Sequence, residues 1–154
     1  MALLRAREAV MREFRAALRQ HGMTEQQWRV LRALTAKNEI EILALAEVTF
    51  LLPPSLSRIL RDLEVRKLIL RRAIPEDLRR GLVSISPRGM AMIETVGAQS
   101  EKIYSEISRR FGADKLRALH QLLELLEHSL AEPTPAASPK KHTNHARMRA
   151  PDLR

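Results

Sequence analysis

The sequence predicts a mainly α-helical fold with one small β-hairpin, on three observations. Aromatic residues are 3% of the 154 positions and hydrophobic residues 45%, so Leu, Ile, Val, Ala and Met supply the core, a composition favouring helices over a β-sandwich. Apolar residues recur at three- and four-residue steps through most of the first 131 positions. Between residues 68 and 85 the pattern changes to two short apolar runs around a charged segment containing Pro and Gly.

Residues 2 to 20 read as a helix, with Leu3, Val10, Phe14, Ala17 and Leu18 on one side and Arg5, Arg12, Arg15 and Arg19 on others. Gly22 stops it. Thr24 followed by Gln27 three residues later is a capping-box pattern, so a second helix runs to Ala36 with Trp28, Leu31 and Leu34 turned inward. Asn38 suits a left-handed closing turn. Residues 40–42 suit a short strand and residues 43–50 a brief helix.

Pro53 and Pro54 then open the stretch on which the function turns, because proline is tolerated where a helix N–H has no partner anyway. Leu56, Ile59, Leu60 and Leu63 form its buried stripe, leaving Ser55, Ser57, Arg58, Arg61 and Asp62 opposite. Two short helices at a tight turn, the second carrying serine and arginine, make a helix-turn-helix arrangement. Backbone N–H groups and serines at such a helix start hold phosphates, and arginine reaches guanine O6 and N7 in the major groove. An amphipathic helix with a merely solvated basic face is the alternative.

The segment behind it reads as a β-hairpin whose charged tip spans residues 74–81, which makes it a wing. Arg79 and Arg80 at the tip suit a phosphate backbone or minor groove, and Arg71 and Arg72 stand in the adjoining strand. Ser86-Pro87 opens a long helix through Met90, Ile93, Val96, Ile103 and Ile107, which Gly112 breaks. A last helix carries Leu116, Leu119, Leu122, Leu123, Leu126 and Leu130, more leucine than a small monomer covers. With the first helix it is a candidate for burial against a second copy. Residues 1–131 are therefore expected as one domain, with residues 1–22 and 100–131 as dimerisation helices and 24–99 as the winged helix-turn-helix region. Residues 132–154, rich in Pro, Ala, Ser, Lys and His, read as a disordered basic tail.

The net charge of +9 and pI near 10.9 point to a polyanionic partner, nucleic acid before anionic membrane. The tail contributes +3, so the first 131 residues keep +6. Without cysteine there are no disulfides, thiolate metal sites or cysteine nucleophiles. No apolar run is long enough to span a membrane and no signal-peptide core is evident, so a soluble cytoplasmic protein is expected. His120 and His128 lie two turns apart and cannot chelate one ion alone. No nucleophile–base pair, phosphate loop or paired carboxylate supports catalysis. Neither an enzyme nor a metal or cofactor site is expected.

In order and spacing, Thr24-Glu25-Gln26-Gln27-Trp28-Arg29-Val30-Leu31, the run from Pro54 through Glu64, Asp77-Leu78-Arg79-Arg80 and Ser86-Pro87-Arg88-Gly89 resemble the MarR family of bacterial transcription regulators over roughly residues 1–131. The run from Leu4 through Arg5-Ala6-Arg7-Glu8-Ala9 and the stretch from His21 to Val30 look especially like its regulators of homoprotocatechuate (4-hydroxyphenylacetate) catabolism. The resemblance implies a homodimer with intertwined terminal helices, bound to a pseudo-palindromic double-stranded operator and released by a small phenolic or aromatic acid. By position, Ser55, Ser57, Arg58 and Arg61 would face the major groove, Arg79 the minor groove, and Asp77 would hold the wing's basic side chains. The family usually has glycine where this chain has Lys67, a residue that either adopts a left-handed conformation at a cost or forces a different turn. Leu78 stands at an often polar position, and Ser86 where threonine is usual.

Some residues have a second reading. Asp77 also suits an Asx cap of the turn. Trp28 suits core packing as well as the effector cleft that the resemblance implies nearby, and Arg15 and His21 suit either a ligand carboxylate or plain surface positions. A rival for the whole chain is a protein-interaction module using the leucine-rich helices, its basic charge unrelated to specific DNA binding.

Overall fold

The computed structural model describes residues 1–74 and 77–131, and within them the side chains of all but residues 74 and 77–80. The order is α1 (Ala2–Gln20), α2 (Glu25–Thr35), β1 (Ile40–Glu41), α3 (Ile42–Thr49), α4 (Pro53–Val65), β2 (Ile69–Ile74), β3 (Asp77–Ile85), α5 (Pro87–Phe111) and α6 (Ala113–Ala131). The chain divides into two compact units, Met1–Ala113 and Asp114–Arg154.

In the first unit one core joins the helices to the sheet. Phe14 and Leu18 of α1, Val30, Leu31 and Leu34 of α2, Leu45 of α3, the Leu56, Ile59, Leu60 and Leu63 stripe of α4, Ile69 and Val83 of the sheet, and Ile93 and Val96 of α5 are all buried. Each set follows its helix or strand period, and desolvation of these aliphatic side chains is the main force holding α4 in place. Trp28, expected inward, is half-buried against this core. The capping box forms as expected: Thr24 Oγ1 accepts from Gln27 N–H at 3.2 Å, and the Gln27 side-chain Oε1 accepts from Thr24 N–H at 2.8 Å.

Three helix ends share one closure, in which consecutive N–H groups bond back to the last turn around a left-handed residue. After α1 that residue is Gly22 (φ 59), with Gly22 and Met23 N–H bonded to Arg19 and Leu18 carbonyls. After α3 it is Phe50 (φ 51), and after α4 it is Lys67 (φ 59). Lys67 thus takes the strained alternative posed by the sequence. Asn38 does not take the turn expected of it. Instead α2 ends right-handed at Ala36, its carbonyls met by Ala36 N–H and the Thr35 hydroxyl, so no left-handed residue is needed.

The sheet runs β1-β3-β2, all antiparallel. Its strands are longer than the sequence suggested: β3 begins at Asp77, so residues 77–81 belong to a strand, and the register shifts between Ala73 and Ile74. Where the sheet meets α5, Ser86 N–H donates to Leu68 O (3.1 Å), Ser86 Oγ donates to Lys67 O (2.7 Å) and accepts from Gly89 N–H (3.0 Å). A Cβ on Gly89 would stand 2.1 Å from Leu68 O, so only glycine allows this approach.

In the second unit, α6 shows its leucines to solvent; Leu122, Leu125 and Leu130 are each more than 60% exposed. Among the described residues no single helix is long and apolar enough to cross a membrane. Nor does any cluster of three His, Asp or Glu among them stand ready to hold a metal ion.

Candidate nucleic-acid interface

The axes of α3 and α4 differ by 107° across the turn Phe50-Leu51-Leu52, the angle of a helix-turn-helix. Arg29 of α2 fixes this corner by donating to Thr49 O at 3.0 Å while bonding Glu25 at 3.0 Å. The apolar stripe of α4 faces the core, which turns Ser57, Arg58 and Arg61 to solvent and leaves Ser55 half-buried.

The start of α4 is less polar than the sequence reading supposed. Its first two residues are Pro53 and Pro54, which have no N–H, and Leu56 N–H is taken by Leu52 O at 3.0 Å. Ser55 N–H is left as the backbone donor of the first turn, so anion binding here falls to side chains.

The basic residues around α4 divide into two groups. Arg66 is tied inward, donating to Gly22 O (2.9 Å) and His21 O (3.4 Å) beside Asp62 (3.6 Å). Arg71 pairs with Glu64 at 3.4 Å, and Arg72 grips both oxygens of Glu39 at 2.9 and 2.7 Å. This last bond holds the Glu39 carboxyl below its ordinary pKa. By contrast, among the described residues no acidic side chain meets Arg58 or Arg61. The basic residues at the end of α4 and on β2 are thus engaged, while Arg58 and Arg61 on the outer face of α4 meet no carboxylate among the described residues, the division a groove-reading helix requires.

The structure brings Ser55, Ser57, Arg58 and Arg61 together on one helix and places Arg72 on β2, already engaged. The side chains of Asp77, Arg79 and Arg80 lie outside the described residues. The three effector candidates stand on neighbouring elements, Arg15 on α1, His21 just after it and Trp28 on α2. Arg15 lines a cavity of about 310 Å³ with Arg19, Met23, Thr24 and Glu25 between the end of α1 and the start of α2. Its guanidinium is held by Glu8 (2.8 Å) and Glu25 (3.4 Å), and that hydrogen bond lowers the Glu8 pKa. His21 Nε2 stands 3.3 Å from the Gln99 side-chain oxygen, and Trp28 packs on the core.

Sequence reasoning missed the cross-links that join this corner to α4. Gln27 Nε2 donates to Asp62 Oδ2 at 2.7 Å, so one side chain both caps α2 and holds α4. Glu25 gathers Arg7, Arg15 and Arg29. Of these only the Glu25–Arg29 pair, four apart on a helix, has a local signal in the sequence.

A family model described as the MarR family matches residues 21–80. The homoprotocatechuate degradative operon repressor of Escherichia coli is 38% identical over 124 residues, covering 80% of this chain and 84% of that protein. The crystal structure of transcriptional regulator PA4135 is 40% identical and superposes with a TM-score of 0.80, over 86% of this chain and 96% of that one. NadR in complex with 4-hydroxyphenylacetate is 34% identical with a TM-score of 0.71, over 81% and 89% of the two chains. A shared fold, a shared helix-turn-helix and identity at this level across four-fifths of the sequence show that this chain belongs to the MarR family of transcriptional regulators.

Proposed function

We propose that this chain is a homodimeric repressor of an aromatic-compound catabolic operon, released from a pseudo-palindromic operator by a small aromatic acid. The observation that carries the reading is the pair Arg58 and Arg61, which meet no acidic side chain among the described residues on the outer face of α4, while Arg66, Arg71 and Arg72 beside them are engaged. Phosphate contacts from the basic surface supply affinity, and α4 supplies base choice from the major groove. The exposed leucines of α6, with Leu3, Leu4 and Val10 of α1, supply apolar surface for a second copy. Two α4 helices then address half-sites about one DNA turn apart.

The effector class rests on similarity to a repressor of homoprotocatechuate degradation and to a structure that holds 4-hydroxyphenylacetate. Release requires the ligand to bind the DNA-incompetent state more tightly. Gln27 to Asp62 and Arg66 to the carbonyls of residues 21 and 22 are the links by which a change at the α1–α2 corner reaches α4. Wing residues Asp77, Arg79 and Arg80, and Arg72 beside them, complete the proposed DNA-contacting set.

Gel shift on the operator and on random duplex tests the reading. Arg58→Ala is expected to cost about 1–3 kcal/mol on the operator and to relax base preference, whereas changing Lys140 and Lys141 weakens binding to all DNA alike. Equal losses on both duplexes for Arg58→Ala would remove base reading. Addition of 4-hydroxyphenylacetate is expected to raise the melting temperature of the free protein and dissociate the operator complex.

A further inference from the structure

The turn leading into α4 carries two side chains that the fold does not use. Phe50 sits in the left-handed region at φ 51 with 83% of its surface exposed, although the same turn after α1 is made by Gly22. A bulky residue there is strained, and an exposed ring gains no packing within the chain to offset that strain. Leu52, at the N-cap of α4, is 75% exposed and makes no capping bond where Ser, Thr, Asp or Asn would make one. Together with Pro53 and Pro54, these residues make an apolar tip where such a helix ordinarily presents hydroxyls and N–H groups.

We infer that Phe50 and Leu52 are specificity determinants that contact thymine 5-methyl groups in the major groove beside the base read by Arg58. The inference rests on the DNA-binding reading above. The tip opens the same helix that carries the proposed groove-facing residues, and Ser57 and Arg58 follow it within about two turns. On the major-groove edge of a base pair the thymine methyl is the apolar group, so it is the feature this tip is fitted to recognise. Edges without the methyl would leave Leu52 and Phe50 facing unsatisfied donors and acceptors, so the tip also discriminates against cytosine, guanine and adenine at the positions it contacts.

The full-length chain is used to select its preferred duplex from a random library, and each thymine of that duplex is replaced in turn by deoxyuridine, which removes the methyl alone. Wild type is expected to bind about four-fold more weakly per methyl lost at one or two positions in each half-site. Phe50→Gly and Leu52→Ser are each expected to bind the thymine duplex more weakly and to lose the thymine–uracil difference at their own position. Phe50→Gly relieves the left-handed strain and is expected to melt no lower than wild type, so its lost affinity is not misfolding. Indifference of wild type to every methyl would overturn the inference. So would an undiminished thymine–uracil difference in both variants, or unchanged DNA affinity in Phe50→Gly with an altered oligomeric state. Failure of the library to yield any preferred sequence would remove the DNA-binding reading itself, and the inference with it.

Discussion

Gly89→Ala tests the joint that sets the hairpin and α5 against the end of α4. The added methyl would stand 2.1 Å from Leu68 O and 2.8 Å from Ile85 Cγ1, and the first neighbour is backbone. Clearing it even to 3.0 Å moves the carbonyl by roughly 0.9 Å. That carbonyl accepts Ser86 N–H at 3.1 Å, and the adjoining Lys67 O accepts Ser86 Oγ at 2.7 Å, so the shift loosens both bonds. Two hydrogen bonds at about 1 kcal/mol each and an overpacking strain of 1–3 kcal/mol, less about 1 kcal/mol gained from alanine in a helix, leave a net loss of about 3 kcal/mol. In a chain of this size that is a fall of about 10 °C in melting temperature, read at fixed protein concentration because a dimer's midpoint depends on it. Operator affinity of the folded fraction is expected to fall as well, because β2 leaves α4 through this joint. A melting temperature within about 1 °C of wild type would refute the reasoning, since it would mean that the carbonyl relaxes at negligible cost.

Lys67→Gly removes left-handed strain of about 1–2 kcal/mol against about 0.4–1 kcal/mol of added chain entropy, so it is expected to raise the unfolding free energy by about 0.5–1 kcal/mol, read as a higher urea midpoint with an unchanged slope. A lowered midpoint would show that the lysine side chain contributes more than its backbone costs. Gln27→Ala removes one half of the capping box and the bond to Asp62, with an expected loss of about 1 kcal/mol. In a double-mutant cycle with Asp62→Ala the coupling is expected near 0.5 kcal/mol, and additivity would dissolve the link from α2 to α4. Glu8 and Glu39 are expected to titrate below the ordinary carboxylate range by NMR, each held down first by its hydrogen bond to Arg15 or Arg72. A depressed folded pKa means that the stabilisation is fully present above the unfolded value and lost as pH falls through the folded one. The melting temperature should therefore be flat near neutrality and decline on acidification, with Glu39→Gln removing part of the decline.

The elements and the core were legible because apolar period is a local property. The Leu56, Ile59, Leu60 and Leu63 stripe and the Thr24–Gln27 capping box are read from residues three and four apart. Arg58 and Arg61 were legible as types, but not as lacking an acidic partner among the described residues: their neighbours Arg66 and Arg72 are taken up by main-chain carbonyls and a carboxylate far along the chain, and Arg71 by Glu64 across the turn. Asn38 misled because its preference for a left-handed turn acts only where a helix end lacks other partners, and Thr35 supplied one. Phe50 went unnoticed since nothing in its type announces a positive φ.

Arg66 takes hold of main-chain oxygens at residues 21 and 22, and this choice of acceptor has an engineering consequence. A fastening made to the backbone is indifferent to what side chain hangs there, so position 21 can be exchanged without unfastening the end of α4 from the α1–α2 corner. The side chain at that corner and the grip on α4 are therefore two quantities that can be altered one at a time.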